Sequence, residues 1–205
     1  MYLYNHPNTY KDVAHIHQLN GIPNINTTTQ NSDQEKLTRT AKVIGFKNCT
    51  TGAGATTLIY MLMKVLSEKD YVVALEVNKN DFGFFNEKNM YSVNANNLEA
   101  AINRFGTANL ILVDLNNANS EICDDVIYLM EPSTIKLNKM MLINKDIFDK
   151  LYGKKIVLNK SLLTEKEVSD FEYESHARVL YNMPPLNDHK DNTEVINSLI
   201  EKIEI

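Results

Sequence analysis

Residues 48–57, "NCTTGAGATT", decide how the rest of this chain is read. Glycines at 52 and 54 followed by threonines at 56 and 57 form the pattern of a loop that wraps a phosphate, because a residue without a side chain lets backbone amides approach an anion. At Ala55, such a loop ordinarily carries lysine. Upstream, "KVIGF" at 42–46 is a short apolar run of strand type; downstream, Leu58, Ile59, Leu62, Val65 and Leu66 recur at helical spacing in a segment that opens with Thr56 and Thr57. Strand, glycine-rich turn and helix in that order put the loop beyond a strand's carboxyl end, with the positive end of a helix dipole aimed at it.

Outward from the loop the pattern repeats. Apolar runs fall at "YVVALEV", "NLILVDL", "DVIYLM", "KIVLNK" and "RVLYNM", several of them continuous rather than alternating, as strands covered on both faces require. Between them lie the predicted helices "NNLEAAINRFG", "STIKLNKMMLINKDIFDKL", "TEKEVSDFEYES" and "NTEVINSLIEKIEI", each beginning at an Asn, Ser or Thr cap candidate. Alternating strands and helices predict an α/β domain with a mostly parallel sheet and right-handed crossovers. The 205 residues, 43% of them hydrophobic, suffice for one such core, placed at 42–205. Residues 1–41 read as a strand-helix arm, "MYLY" and "TYKDVAHIHQLNG", followed by a polar linker at 24–41.

The formal net charge of -5 argues against attraction of the whole surface to DNA or anionic lipid. Cys49 and Cys123 share no repeated spacing and read as free thiols of a reducing compartment. No signal peptide is apparent and no apolar run reaches the roughly 18 residues of a membrane span, so a cytoplasmic location is expected.

The loop and the order of elements around it resemble the MinD/ParA group of P-loop ATPases, whose loop reads K-G-G-x-G-K-T-T. The resemblance covers residues 42 to 205 and implies a three-layer P-loop NTPase-like domain with a doubly wound sheet. Laid on the family pattern, Thr50 takes the place of the lysine that reaches across a nucleotide-sandwich dimer, and Ala55 that of the general P-loop lysine. The cofactor-binding candidates it implies are Gly52, Ala53, Gly54, Ala55, Thr56 and Thr57, with Asn159 of "KIVLNK" at a position that contacts adenine in relatives. Thr56 and Asp114 of "NLILVDL" match the family's magnesium positions, and Glu76 and Asn78 of "VVALEVNKN" match its switch carboxylates. An amide cannot handle an attacking water as a carboxylate does, so no catalytic residue is assigned. Losing one charge-assisted phosphate contact costs about 1.5–3 kcal/mol, and both lysines are gone. The expectation is a pseudo-ATPase without cofactor, nearest in pattern to the TadZ/CpaE branch of pilus-positioning proteins, of whose N-terminal receiver-like domain the strand-helix unit at residues 1–23 would be only a last fragment, too short to be the domain. Homodimerisation, a protein partner within a larger assembly, and recruitment by it to the inner face of a membrane complete that reading. The alternatives are a weak ATPase using MgATP with a lysine recruited from elsewhere, Lys47 being the nearest in sequence, and a DNA-partition component.

Other features read as structural. His6, His15 and His17 lack the cysteine or carboxylate company of a metal site. Asp81 and Gly83 lack the periodic acids of a calcium loop. The lysine-rich segment from Lys136 to Lys155 is read as a solvated helix face rather than a DNA surface. Val195, Ile196, Leu199, Ile200 and Ile203 form an apolar stripe, beside acidic Glu194, Glu201 and Glu204, that suits a core or subunit contact rather than anionic lipid. Phe82, Phe84 and Phe85 could anchor a partner or cover the sheet.

Overall fold

The computed structural model describes residues 39–187 and 190–205. The expected arm, most of its linker and the three N-terminal histidines lie outside the described residues. Residues 39–41 are tied to the domain: Thr40 and Ala41 donate backbone bonds to the Gly106 carbonyl, and Arg39 pairs with Asp124.

Seven strands form one sheet: β1 (Lys42–Asn48), β2 (Val72–Val77), β3 (Met90–Val93), β4 (Leu110–Asp114), β5 (Asp125–Met130), β6 (Lys155–Leu158) and β7 (Val179–Asn182). Their order is β3-β2-β4-β1-β5-β6-β7, and every pairing is parallel. The helices are α1 (Ala55–Leu66), α2 (Leu98–Arg104), α3 (Thr134–Ile143), α4 (Ile147–Leu151), α5 (Glu165–Ser175) and α6 (Thr193–Ile203).

Strand residues alternate between faces, and each face meets its own helices. Ile44, Phe46, Ala74, Leu112 and Ile127 share an apolar cluster with Leu58 and Leu62 of α1 and Leu199 of α6. Val43, Val73, Leu75, Ile111 and Val113 go to the opposite side, with Leu98 and Ile102 of α2. Met130, Ile156 and Leu158 meet Met140 of α3, Leu151 of α4 and Phe171 of α5 in a third cluster. Burial on both sides explains the near-continuous apolar runs, and the three layers of an α/β P-loop NTPase-like fold follow. The apolar stripe of α6 is thus core of this chain.

Three local expectations change. The segment 133–151 is two helices, because Asn144 turns to an extended conformation (φ -139°, ψ 95°) and ends α3. β3 was not among the predicted strands; at four residues, "MYSV", it is too short a run to stand out from the loop around it. α1 begins at Ala55, with Gly54 as its left-handed N-cap. Ser133 and Thr164 cap their helices through side chains, Thr164 in a capping box with Glu167, whereas Asn97 and Asn192 give no side-chain cap.

Candidate functional site

The loop after β1 sits at the carboxyl ends of the central strands, held from three sides. Thr50, buried at the place of the family-specific lysine, accepts a bond from the Glu131 amide (2.8 Å), fastening the loop to the end of β5. Asn48 Oδ1 accepts from the Ala55 amide (3.2 Å). Asn159, at the end of β6, donates through Nδ2 to the Ala53 carbonyl (2.7 Å) and accepts through Oδ1 from the Lys160 amide (2.8 Å). The side chain expected to face a base therefore staples the loop through Nδ2, while Oδ1 caps its own turn at Lys160. Gly52 and Gly54 have φ of 68° and 97°, the left-handed conformations that the turn demands. Ala53 and Ala55 are fully buried, Ala55 with its methyl in the α1 cluster.

Asp114, at the end of β4, is fully buried. Its Oδ2 accepts from Thr56 Oγ1 (2.7 Å) and from Lys79 Nζ (3.1 Å), and its Oδ1 accepts from the Asn116 amide (3.3 Å). Lys79 Nζ also lies 3.5 Å from Thr56 Oγ1. The structure thus brings Thr56 and Asp114 together, as the motif match implies, and adds a lysine that the match did not include. Asn78 has φ of 55° and turns its amide away, accepting from the Ala95 amide (3.0 Å). It is Lys79, one residue on, that faces the loop.

Two more lysines stand at the loop. Lys160 Nζ donates to the Gly52 carbonyl (3.2 Å) and lies 3.7 Å from Glu131 Oε2, which also takes Lys136 Nζ at 2.6 Å. Lys47, the nearest lysine in sequence, does not line the cleft. Lys79 and Lys160 each follow a strand-ending asparagine in an Asn-Lys pair, a repeated signal visible at 78–79 and 159–160 that motif spacing passes over. A cleft of about 770 Å³ opens above the loop, walled by residues 48–52 and 54–57 together with Lys79, Asp81, Phe84, Phe85, Asn116, Asn117 and Lys160. Of the aromatics, Phe82 is buried, Phe85 stacks on Tyr60 at 4.2 Å, and Phe84 stands 85% exposed at the rim. Cys49 also borders the cleft, but burial pushes its thiol up to about 12, and that of Cys123 to about 11, so both stay protonated and unreactive.

Glu76 is fully buried below this cleft, with Oε1 accepting from Phe82 N (2.9 Å) and Ser92 Oγ (2.6 Å) and Oε2 without a partner. Desolvation raises its carboxyl above the ordinary 4.5, opposed by the Ser92 and Phe82 bonds. With a raised native value the folded state holds its proton longer than the unfolded chain, so stability falls as pH rises above the unfolded value. Glu76→Gln is expected to gain on wild type as pH rises from 4 to 7 in urea titrations; a difference independent of pH would contradict this assignment.

Among the described residues no group of three or more His, Cys, Asp or Glu could hold a metal ion, and no helix is long and apolar enough to cross a membrane. The divalent cation implied by a P-loop fold would have to meet Thr56 Oγ1, with Asp114 holding one of its waters, and the Lys79 ammonium already stands against both side chains. As arranged, these residues do not fit that ion.

No protein-family model matches the chain, and no curated protein matches it. Solved structures do. The MinD cell division protein of Aquifex aeolicus matches with a TM-score of 0.58 at 14% identity, over 80% of this chain and 98% of that one. An ATP complex of Cyanothece McdA matches with a TM-score of 0.55 at 12% identity, covering 81% and 97%. A ParA family ATPase from Chlorobium tepidum matches at 0.52 and 12% identity, covering 80% and 92%. At these identities the likeness is one of fold, and the fold of residues 39–205 is the α/β P-loop NTPase-like fold that these proteins share.

Proposed function

We propose that this chain is a MinD/ParA-like pseudo-ATPase: its loop face no longer turns over nucleotide and serves a scaffold or positioning role in a larger cytoplasmic assembly, such as a pilus, secretion or partition system. The observation that carries this reading is that the loop has no free cation of its own to give a phosphate. Asn159 and Asn48 bond the loop backbone, Ala55 has no charge to offer a phosphate, and Lys79 is engaged with Asp114 and Thr56. Asn78 and, through Oε1, Glu76 are bonded to backbone beyond β2. The degenerate loop is the feature that brings the TadZ/CpaE branch nearest, and the same face is available to a second copy or to a protein partner.

Calorimetric titration of MgATP and MgADP into the wild-type protein tests the reading. Silence is expected. Ala55→Lys is expected to bind ATP at least ten-fold more tightly than wild type, since one charge-assisted phosphate contact contributes about 1.5–3 kcal/mol. Micromolar MgATP binding by wild type would overturn the proposal.

One observation favours the weak-ATPase alternative: the Lys160 ammonium, 3.2 Å from the Gly52 carbonyl, lines the cleft as a recruited lysine would. Under that reading Lys160→Ala abolishes the wild-type nucleotide signal, whereas under the pseudo-ATPase reading there is none to lose.

A further inference from the structure

We infer that the Lys79 ammonium is a built-in cation occupying the place a divalent metal takes in an active P-loop site, so that this site is metal-independent. The inference concerns the same cleft as the proposed function but rests on the charge balance of Asp114. A fully buried carboxylate needs a compensating cation or donors, because an unpaired buried charge is strongly unfavourable. Here Oδ2 has the Thr56 hydroxyl and the Lys79 ammonium, and Oδ1 has the Asn116 amide. No further cation is required.

The backbone explains why Lys79 arrives there. β2 ends at Val77, and Asn78 follows in the left-handed conformation, its amide capping the turn at Ala95. That reversal directs residue 79 back over the end of β4. Magnesium demands six oxygens near about 2.0–2.1 Å in octahedral array. Thr56 Oγ1 and Asp114 Oδ2 are bonded to each other and both face the ammonium, at 3.5 and 3.1 Å, so a metal could enter only by expelling Lys79. The other lysines at the loop are occupied elsewhere: Lys136 on Glu131, and Lys160 on the Gly52 carbonyl and Glu131. The cation at Asp114 is therefore carried by the chain itself.

Manganese, titrated into the full chain without nucleotide and followed by the electron-paramagnetic signal of the free ion, tests this, alongside melting temperatures in manganese and in chelator. Wild type is expected to leave the free-ion signal at its buffer value and to melt at the same temperature with or without metal. Lys79→Met is expected to melt several degrees lower, with millimolar manganese recovering part of the loss, and Lys79→Met with Asp114→Asn to recover it without metal. Lys79→Arg, which keeps the charge and guards against a variant that simply misfolds, is expected to remain indifferent to metal. Manganese binding by wild type that disappears in Asp114→Asn overturns the inference, as does Lys79→Met with wild-type melting and no response to metal. Neither result touches the nucleotide titration, which alone decides the pseudo-ATPase reading.

Discussion

Gly54→Ala is expected to lower the unfolding free energy by about 3 kcal/mol, seen as a lower urea midpoint at unchanged slope. Two effects add. Gly54 holds φ of 97° at the start of α1, where any L side chain is strained by about 1–2 kcal/mol. Its new methyl would also stand 2.8 Å from Asn159 Nδ2, so the amide stapling the loop must move. Moving it strands the carbonyl of fully buried Ala53, a loss of about 1–3 kcal/mol. The two parts are separable, since in an Asn159→Ala background the staple is already gone and only the strain should remain. A wild-type cost below about 1 kcal/mol would mean the staple is not what holds the loop.

Phe46→Ala should cost more, about 3–5 kcal/mol, the range for truncating a large buried aromatic. Phe46 is among the largest fully buried side chains, in the middle of the sheet's central strand, opposite Asp114 on β4 and Ile127 on β5. It shares its cluster with α1 and α6, so the void opens where three elements meet and none can collapse alone. Its carbonyl accepts from the Leu115 amide (3.0 Å), a backbone bond that the substitution leaves in place. Phe46→Leu should recover most of the loss, as a change that keeps most of the volume. Equal losses for Ala and Leu in denaturant titrations would point to the ring's shape rather than the cavity.

The fold was legible because double-sided burial writes itself as continuous apolar runs: "NLILVDL" and "YVVALEV" are strands β4 and β2, each fully buried along its length. β3 escaped because a run of four residues is too short to stand out from the loop around it. The loop was legible because glycines at fixed spacing serve a fixed backbone path. Its cations were not. Lys79 and Lys160 reach the site from two separate strand ends and Lys136 from the first turn of α3, and that convergence exists only once the sheet is ordered. Spacing within a motif could not show that Asn78 turns left-handed and hands its position to Lys79. Asn159 was read at a strand end, and it stands there, directly after β6; that its amide bonds the loop backbone was not legible from the motif.

The strand order also fixes a sequence of events in time. β1 and β2 follow one another along the chain, joined by α1, yet they share no edge; β4 lies between them, and β1's other neighbour is β5. A chain lengthening from its N-terminus can pair β2 with β3 as soon as residue 93 has emerged, while β1 waits with both edges open for residues 110–130. Arrival of β4 then closes two ladders at once, one on each side. Such long-range pairing raises the contact order, which slows folding relative to a domain of local contacts. Until that step the loop after β1 has no Asp114 against it, so the Thr56–Asp114–Lys79 cluster cannot form before β4 is in place.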